Sequence, residues 1–211
     1  MKKQISSSHG GILMTKVLSL YFLVACISVV SFAADDSLKV TFDTEWSGER
    51  LILPTGFAPD LSLRGIEEIR FAPGMFMPDH EEFFSYALVF YLPNQKPLTQ
   101  TQIHTELLKY YRGLAASVGR DRKPKIETDK FTFVLTPVEG KEGQYTAILD
   151  WVEPFKTGKA QKLRFEIESA KIADMNASRL SMSASPQKPD HKLWSVLRKV
   201  TASAKFTKTI K

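Results

Sequence analysis

The sequence predicts an α+β fold, in which an antiparallel sheet of about six to eight strands packs with two amphipathic helices, at residues 100–118 and 190–204. Three observations lead to this prediction. A long apolar stripe of helical period lies in the middle of the chain, a series of alternating segments follows it, and a second, shorter stripe lies near the C-terminus. Strands, one helix, further strands and a closing helix, in that order, are typical of α+β proteins.

Strands are predicted throughout the N-terminal half of the chain. Apolar and polar residues alternate at 38–43, which is the pattern of a strand with one solvent-facing side. The segments 51–53 and 66–72 predict two further strands, separated by a loop rich in proline and glycine. The very apolar segment 83–92 (FFSYALVFYL) predicts a central strand that is covered on both faces.

The clearest helical pattern lies at 100–118. Its apolar residues follow helical spacing and form one continuous stripe: Ile103, Leu107, Tyr110, Tyr111, Leu114 and Val118. Thr99 and Gln102 have the spacing of a capping box, in which each side chain accepts a hydrogen bond from the other residue's backbone N–H. Gly119 predicts the C-terminal end of this helix.

Four strand-like segments lie between residues 131 and 184, with turns between them. The segment 162–168 alternates most regularly, because apolar residues there separate charged ones. Four such segments in succession predict an antiparallel meander. The second helix is then predicted to begin at Asp190 as its N-cap, and the tail 207–211 is predicted to fray.

The N-terminus has the three parts of a secretory signal peptide. A basic start precedes the apolar run 17–32, and small residues predict cleavage after Ala33. We therefore expect a signal peptide at 1–33 and a single α+β domain at 34–211, located in the periplasm or secreted. Two alternatives remain open: acylation at Cys26, which would make the protein a lipoprotein, and a retained membrane anchor.

Composition excludes several classes of function for the mature chain. Without Cys26 no cysteine remains, which excludes a disulfide scaffold, a thiolate zinc site, an iron–sulfur cluster and a cysteine nucleophile. The mature chain has 26 basic and 23 acidic residues, a balance that does not favour nucleic acid as a partner. No phosphate-binding, dinucleotide-binding or metalloprotease motif is present, and we expect no cofactor.

The sequence bears two resemblances to known proteins. The order of elements, together with the closing helix marked by Trp194, Leu197 and Phe206, resembles the α-β-α sandwich of the photosystem extrinsic protein PsbP and its relatives. This resemblance implies a layout and no function. The segment 46–76, with WSGER at its start and FAPGMF at its end, also resembles uncharacterised secreted bacterial proteins.

Two groups of residues are candidates for a site. Asp79, His80 and Glu82 have oxygen and nitrogen atoms that can coordinate a divalent cation, although neighbouring residues of an extended chain point to opposite faces. The alternative interpretation is that these residues form a solvated acidic loop and no metal site. The second group is a ligand surface, for which the candidates are Trp46, Phe57, Met75 and Phe76, all in a loop-rich stretch.

The leading functional hypothesis is an exported, noncatalytic binding or structural module of the cell envelope. Its partner would be an envelope component or a small ligand, with membrane contact only through acylation at Cys26 or a retained signal segment. The alternative is an exported hydrolase that uses carboxylates and a histidine, such as His80 or His104, without a familiar motif. Glu67 and Glu68 cannot serve one cleft together, because adjacent strand residues face opposite sides.

Overall fold

The computed structural model describes residues 38–208 of the chain. The predicted signal peptide, Cys26 and the possible membrane anchor lie outside these residues. The described elements, in chain order, are β1 (Leu38–Thr41), β2 (Gly48–Leu53), β3 (Gly65–Phe71), β4 (Tyr86–Pro93), α1 (Gln100–Val118), a 3₁₀ turn (Thr128–Lys130), β5 (Thr132–Pro137), β6 (Gln144–Val152), β7 (Ala160–Lys171), β8 (Ala177–Ser185), α2 (Leu193–Ala202) and β9 (Lys205–Lys208).

A seven-stranded antiparallel sheet forms the centre of the protein, with the strand order β2-β3-β4-β8-β7-β6-β5. The predicted α+β class and the C-terminal meander are therefore confirmed. The predicted central strand is β4, which pairs with β3 on one side and with β8 on the other. Strands β1 and β9 form a separate two-stranded antiparallel sheet.

Helix α1 covers one face of the large sheet. Its stripe residues Ile103, Leu107 and Tyr111 are fully or almost fully buried, and they belong to the same cluster as Phe90 and Leu180 of the two central strands. The capping box forms as predicted, since the Thr99 hydroxyl accepts from the Gln102 N–H at 3.3 Å and the Gln102 amide oxygen accepts from the Thr99 N–H at 2.9 Å. Gly119 caps the C-terminal end.

The opposite face is covered by α2 and by the β1–β9 sheet. The Ser183 hydroxyl, which alternates with the core residues Met182 and Ala184 along β8, lies 2.8 Å from the Thr201 hydroxyl of α2. The small sheet packs against Tyr91 and Ile66 through a second apolar cluster. Within residues 38–208, no helix combines the length and apolar character that a membrane span requires.

Two details near the C-terminus differ from the sequence prediction. Helix α2 begins at Leu193, and its N-cap position is occupied by Lys192 without a side-chain cap, so the prediction of Asp190 as N-cap is wrong. Thr207 and Lys208 do not fray, because they pair with Lys39 and Leu38 as part of β9. Residues 209–211 lie outside the described part of the chain.

Candidate functional site

The predicted metal residues lie in the loop that connects β3 to β4. Glu82 accepts a hydrogen bond from the Gly74 N–H at 2.9 Å, and its carboxylate lies 3.6 Å from the imidazole Nδ1 of His80. Asp79 is exposed at the start of the same turn. Within residues 38–208, no three His, Cys, Asp or Glu side chains come close enough together to hold a metal ion. The hydrogen bond between Glu82 and Gly74 stabilises the β3–β4 loop itself.

The four residues predicted as a ligand surface do not lie together. Met75 is buried with only 3% of its surface exposed, so its prediction as a surface residue is wrong. Phe57 is half-buried, with its ring centroid 5.0 Å from that of Tyr110 on the α1 side. Trp46 is also half-buried, against the α2 residues of the opposite side. Phe76 remains exposed.

A different site lies at one end of the large sheet, where β4, β5 and β7 begin and β6 and β8 end. An open cleft of about 870 Å³ is found there. One side is formed by the segment that follows α1, residues 122–131, and the other by the ends of β6 and β7 and the turn between them, residues 150–162. We call this the basic cleft, because five of its lining residues are lysine or arginine and two are acidic.

A hydrogen bond joins the two sides of the basic cleft. The Arg122 guanidinium donates through Nε to the carbonyl of Pro154 at 2.7 Å, which ties the first segment to the β6–β7 turn. Gly158 lies directly against this side chain, since a Cβ atom there would be 2.6 Å from an Arg122 nitrogen. Arg112 of α1 donates to the carbonyls of Asp129 and Phe131, which fixes the far end of the first segment.

The buried carboxylate of Glu153 shapes the β6–β7 turn. It accepts hydrogen bonds from the N–H groups of Phe155, Lys156 and Thr157, and from the Thr157 hydroxyl at 2.8 Å. Glu153 has no exposed surface. Charge-assisted hydrogen bonds of this kind are among the stronger ones in proteins, so the turn has a preformed shape. Glu153 thus organises the turn rather than offering a charge to a ligand.

The charges around the basic cleft are unevenly paired. Lys130 forms an ion pair with Glu127 at 2.7 Å, and Lys162 forms one with Asp150 at 2.6 Å. Lys123 and Lys125 are exposed, and neither forms an ion pair with another described residue. Cations in this situation attract anions from solution, since no carboxylate of the described residues lies within ion-pair distance of them. The two lysines are the part of the cleft that is most available to an anionic ligand.

Aromatic residues form the apolar part of the cleft. Trp151 and Phe131 line it and are largely buried, with ring centroids 6.2 Å apart. The indole N–H of Trp151 donates to the side-chain oxygen of Gln161 at 3.1 Å, so the polar edge of this ring is already satisfied within the protein. Neither His80 nor His104 lines the cleft; the imidazole of His104 lies 5.9 Å from the ring of Phe133.

A second polar group lies inside the core and is closed to solvent. The Tyr110 hydroxyl donates to Glu67 Oε1 at 2.7 Å, while Glu67 Oε2 has no hydrogen-bond partner among residues 38–208. The hydroxyls of Tyr86 and Tyr111 lie 2.5 Å apart nearby. Burial raises the pKa of Glu67 to about 8, and the negative charge of Glu49 adds to the effect, although the hydrogen bond from Tyr110 opposes it.

The side chains of Glu67 and Glu68 lie on opposite faces of β3, as expected for adjacent strand residues. Glu67 faces α1, whereas Glu68 lies on the other face, between the guanidinium groups of Arg50 at 2.7 Å and Arg70 at 2.8 Å. Burial also raises the pKa values of Tyr110 and Tyr111, so both hydroxyls remain protonated at neutral pH. The Glu67 group is therefore a buried hydrogen-bonding cluster with no opening to a substrate.

The sequence analysis did not single out the basic cleft. The available signal was the run 120–125 (RDRKPK), which holds four basic residues and directly follows the helix stop at Gly119. The shape of the cleft carried no such signal, because it depends on the contact between Arg122 and a turn some thirty residues later. Comparison with known proteins adds no assignment: no family model, curated protein or solved structure matches this chain.

Proposed function

We propose that this protein is an exported, noncatalytic binding module of the cell envelope, and that the basic cleft binds anionic groups. The observation that carries the proposal is a preformed cleft of about 870 Å³ in which Lys123 and Lys125 lack ion-pair partners among the described residues. Export is inferred from the signal-peptide pattern at 1–33, which lies outside those residues.

The composition of the cleft supports binding rather than catalysis. Among the described residues that line it, none is a histidine, serine or cysteine. The two acidic side chains, Glu127 and Asp150, are each engaged by a lysine of the cleft itself. The lining therefore suits recognition of negative charge more than acid–base chemistry.

Calorimetric titration with tripolyphosphate, a soluble anionic probe, tests the proposal. The protein without residues 1–33 should bind, and the charge-reversal variant Lys123→Glu/Lys125→Glu should bind at least about tenfold more weakly, which corresponds to the loss of one charge-assisted hydrogen bond. The control is Lys141→Glu/Lys171→Glu, which reverses two exposed lysines at the opposite end of the sheet.

The two variants have the same net charge, so any effect of overall charge appears in both. Equal affinities would contradict the proposal, as would an absence of heat with the unmodified protein. Turnover of a phosphate, ester or glycoside substrate that disappears in His80→Ala or His104→Ala would favour the hydrolase alternative instead. Export is checked separately by mass spectrometry of the mature N-terminus, for which we expect a chain that begins at residue 34.

A further inference from the structure

The loop between β3 and β4 places two exposed apolar side chains beside the basic cleft. Phe76 is 43% exposed and Met77 is 49% exposed, although the rest of the loop contributes the buried residues Met75, Phe83 and Phe84. Adjacent exposed apolar side chains that are rimmed by polar residues are candidates for an interaction surface. Both residues lie at the same end of the sheet as the cleft.

Direct contacts join this loop to the β6–β7 turn. The ring of Phe76 lies 6.2 Å from that of Phe155, and the Lys156 ammonium lies 5.8 Å from the Phe76 ring centroid. Phe155 in turn packs against Phe84 in the core of the loop, with ring centroids 5.6 Å apart. The exposed apolar tip and the lysines of the turn therefore belong to one continuous surface, anchored to the core through Phe155.

One lysine, Lys156, contacts the apolar tip, and further lysines lie at the same end of the sheet. Lys156 and Lys159 extend from the turn, and Lys123 and Lys125 lie across the cleft. Glu81 of the tip loop pairs with Lys192 at 3.1 Å, whereas Glu82, which accepts a hydrogen bond from the Gly74 N–H, is an acidic group that opposes the charge of the lysines. Asp79 is exposed and remains as an opposing charge.

We propose that this end of the molecule docks on the surface of an anionic phospholipid bilayer, with Phe76 and Met77 entering the interface and the four lysines contacting headgroup phosphates. The inference rests on the proposed function, since it assigns the anionic groups of the basic cleft to lipid headgroups. Apolar side chains flanked by lysines match both layers of such an interface, the acyl boundary and the charged headgroups. A soluble anion would use the lysines but leave Phe76 and Met77 in water.

Vesicle co-sedimentation tests the inference. The protein without residues 1–33 is used, because the apolar run 17–32 would bind lipid by itself and because every described strand and helix lies within 38–208. We expect it to sediment with vesicles of mixed phosphatidylglycerol and phosphatidylcholine, and not with phosphatidylcholine alone. Far-ultraviolet circular dichroism and a cooperative urea transition establish that each variant is folded.

Two variants and two matched controls separate the apolar and the charged contributions. Lys123→Glu/Lys125→Glu should lower the partition coefficient at least about fivefold, the effect expected for about one lysine at an anionic surface. Phe76→Ser/Met77→Ser should also lower it at least about fivefold, because two apolar side chains no longer enter the interface. Ile52→Ser/Val196→Ser, which changes two exposed apolar residues elsewhere, and Lys141→Glu/Lys171→Glu should leave the partition coefficient unchanged.

Several outcomes would overturn the inference. One is the absence of sedimentation with anionic vesicles, and another is equal binding by the Phe76→Ser/Met77→Ser variant and its control. Self-association that depends on Phe76 would show that a second copy of this chain covers the tip instead. If tripolyphosphate binds in the cleft but vesicles do not, the docking inference fails while the proposed function is retained.

Discussion

Replacing Glu67 with glutamine changes one buried group and should alter the pH dependence of stability. The carboxyl is almost fully buried, with one oxygen accepting a hydrogen bond from the Tyr110 hydroxyl and the other without a partner in the described part of the chain. Burial raises its pKa from 4.5 to about 8, with Glu49 as the other negative group that acts on it. Glutamine has nearly the same shape and cannot ionise.

The size of the effect follows from this pKa difference. The folded protein holds the Glu67 proton between pH 4.5 and about 8, whereas the unfolded chain releases it. The contribution of Glu67 to stability is therefore greatest below pH 4.5, falls by about 1.4 kcal/mol per pH unit as the pH rises, and levels off above the folded-state pKa. Between about pH 5 and pH 7.5, the unmodified protein should lose about 3 kcal/mol that the Glu67→Gln variant retains.

Urea unfolding over this pH range measures the difference. The free energies of unfolding should be similar near the acidic end, and the variant should become progressively more stable toward the alkaline end. Glu142→Gln, a change at an exposed turn residue, controls for the loss of one negative charge. Parallel pH profiles for the unmodified protein and Glu67→Gln would refute the reasoning, because Glu67 would then titrate equally in both states.

Three further substitutions probe the packing, the turn and the small sheet. Leu107→Ala removes a fully buried residue of α1 and should lower the free energy of unfolding by about 3 kcal/mol in urea titration. Glu153→Ala leaves three backbone N–H groups of the β6–β7 turn without their acceptor, so it should cost about 2 to 4 kcal/mol and weaken tripolyphosphate binding. Phe206→Ala removes the ring packed near Tyr91 and should speed amide hydrogen exchange in β1, while exchange in α1 stays unchanged.

Helix α1 and the meander could be predicted because their signals are local. The stripe from Ile103 to Val118, the capping box at Thr99 and the stop at Gly119 all lie within about twenty residues, and the structure confirms the bounds 100–118. The same is true of β6 and β7, whose alternation reflects one buried and one exposed face. Such elements carry their own periodicity and need no distant partner to be recognised.

Strand β9 was missed because its formation depends on a distant partner. Its sequence, KFTK, is short and largely polar, and it becomes a strand by pairing with β1, more than 160 residues earlier. Likewise, the burial of Glu67 could not be read from the pattern at 66–69, because α1 covers one face of β3. In both cases a long-range contact, and not local propensity, determines the secondary structure or the burial of the residue.

The candidate site was predicted less well than the fold. Loop residues such as Met75 and Phe76 are adjacent and both apolar, yet one is buried and the other is exposed. The sequence alone does not predict which of the two side chains is buried, because that depends on how the loop packs against Phe84 and Phe155. Similarly, the basic run 120–125 becomes one side of a cleft through distant contacts, such as that of Arg122 with the β6–β7 turn.

Residue-resolved NMR titration with tripolyphosphate tests the central claim most directly, because amide shifts report where an anion binds. We predict that the shifts concentrate at Lys123, Lys125 and the turn residues 156–159, and that they decrease with added salt. Shifts centred on Lys141 and Lys171, at the other end of the sheet, would contradict the claim that the basic cleft is the binding surface. A spectrum that does not respond to tripolyphosphate would contradict it equally.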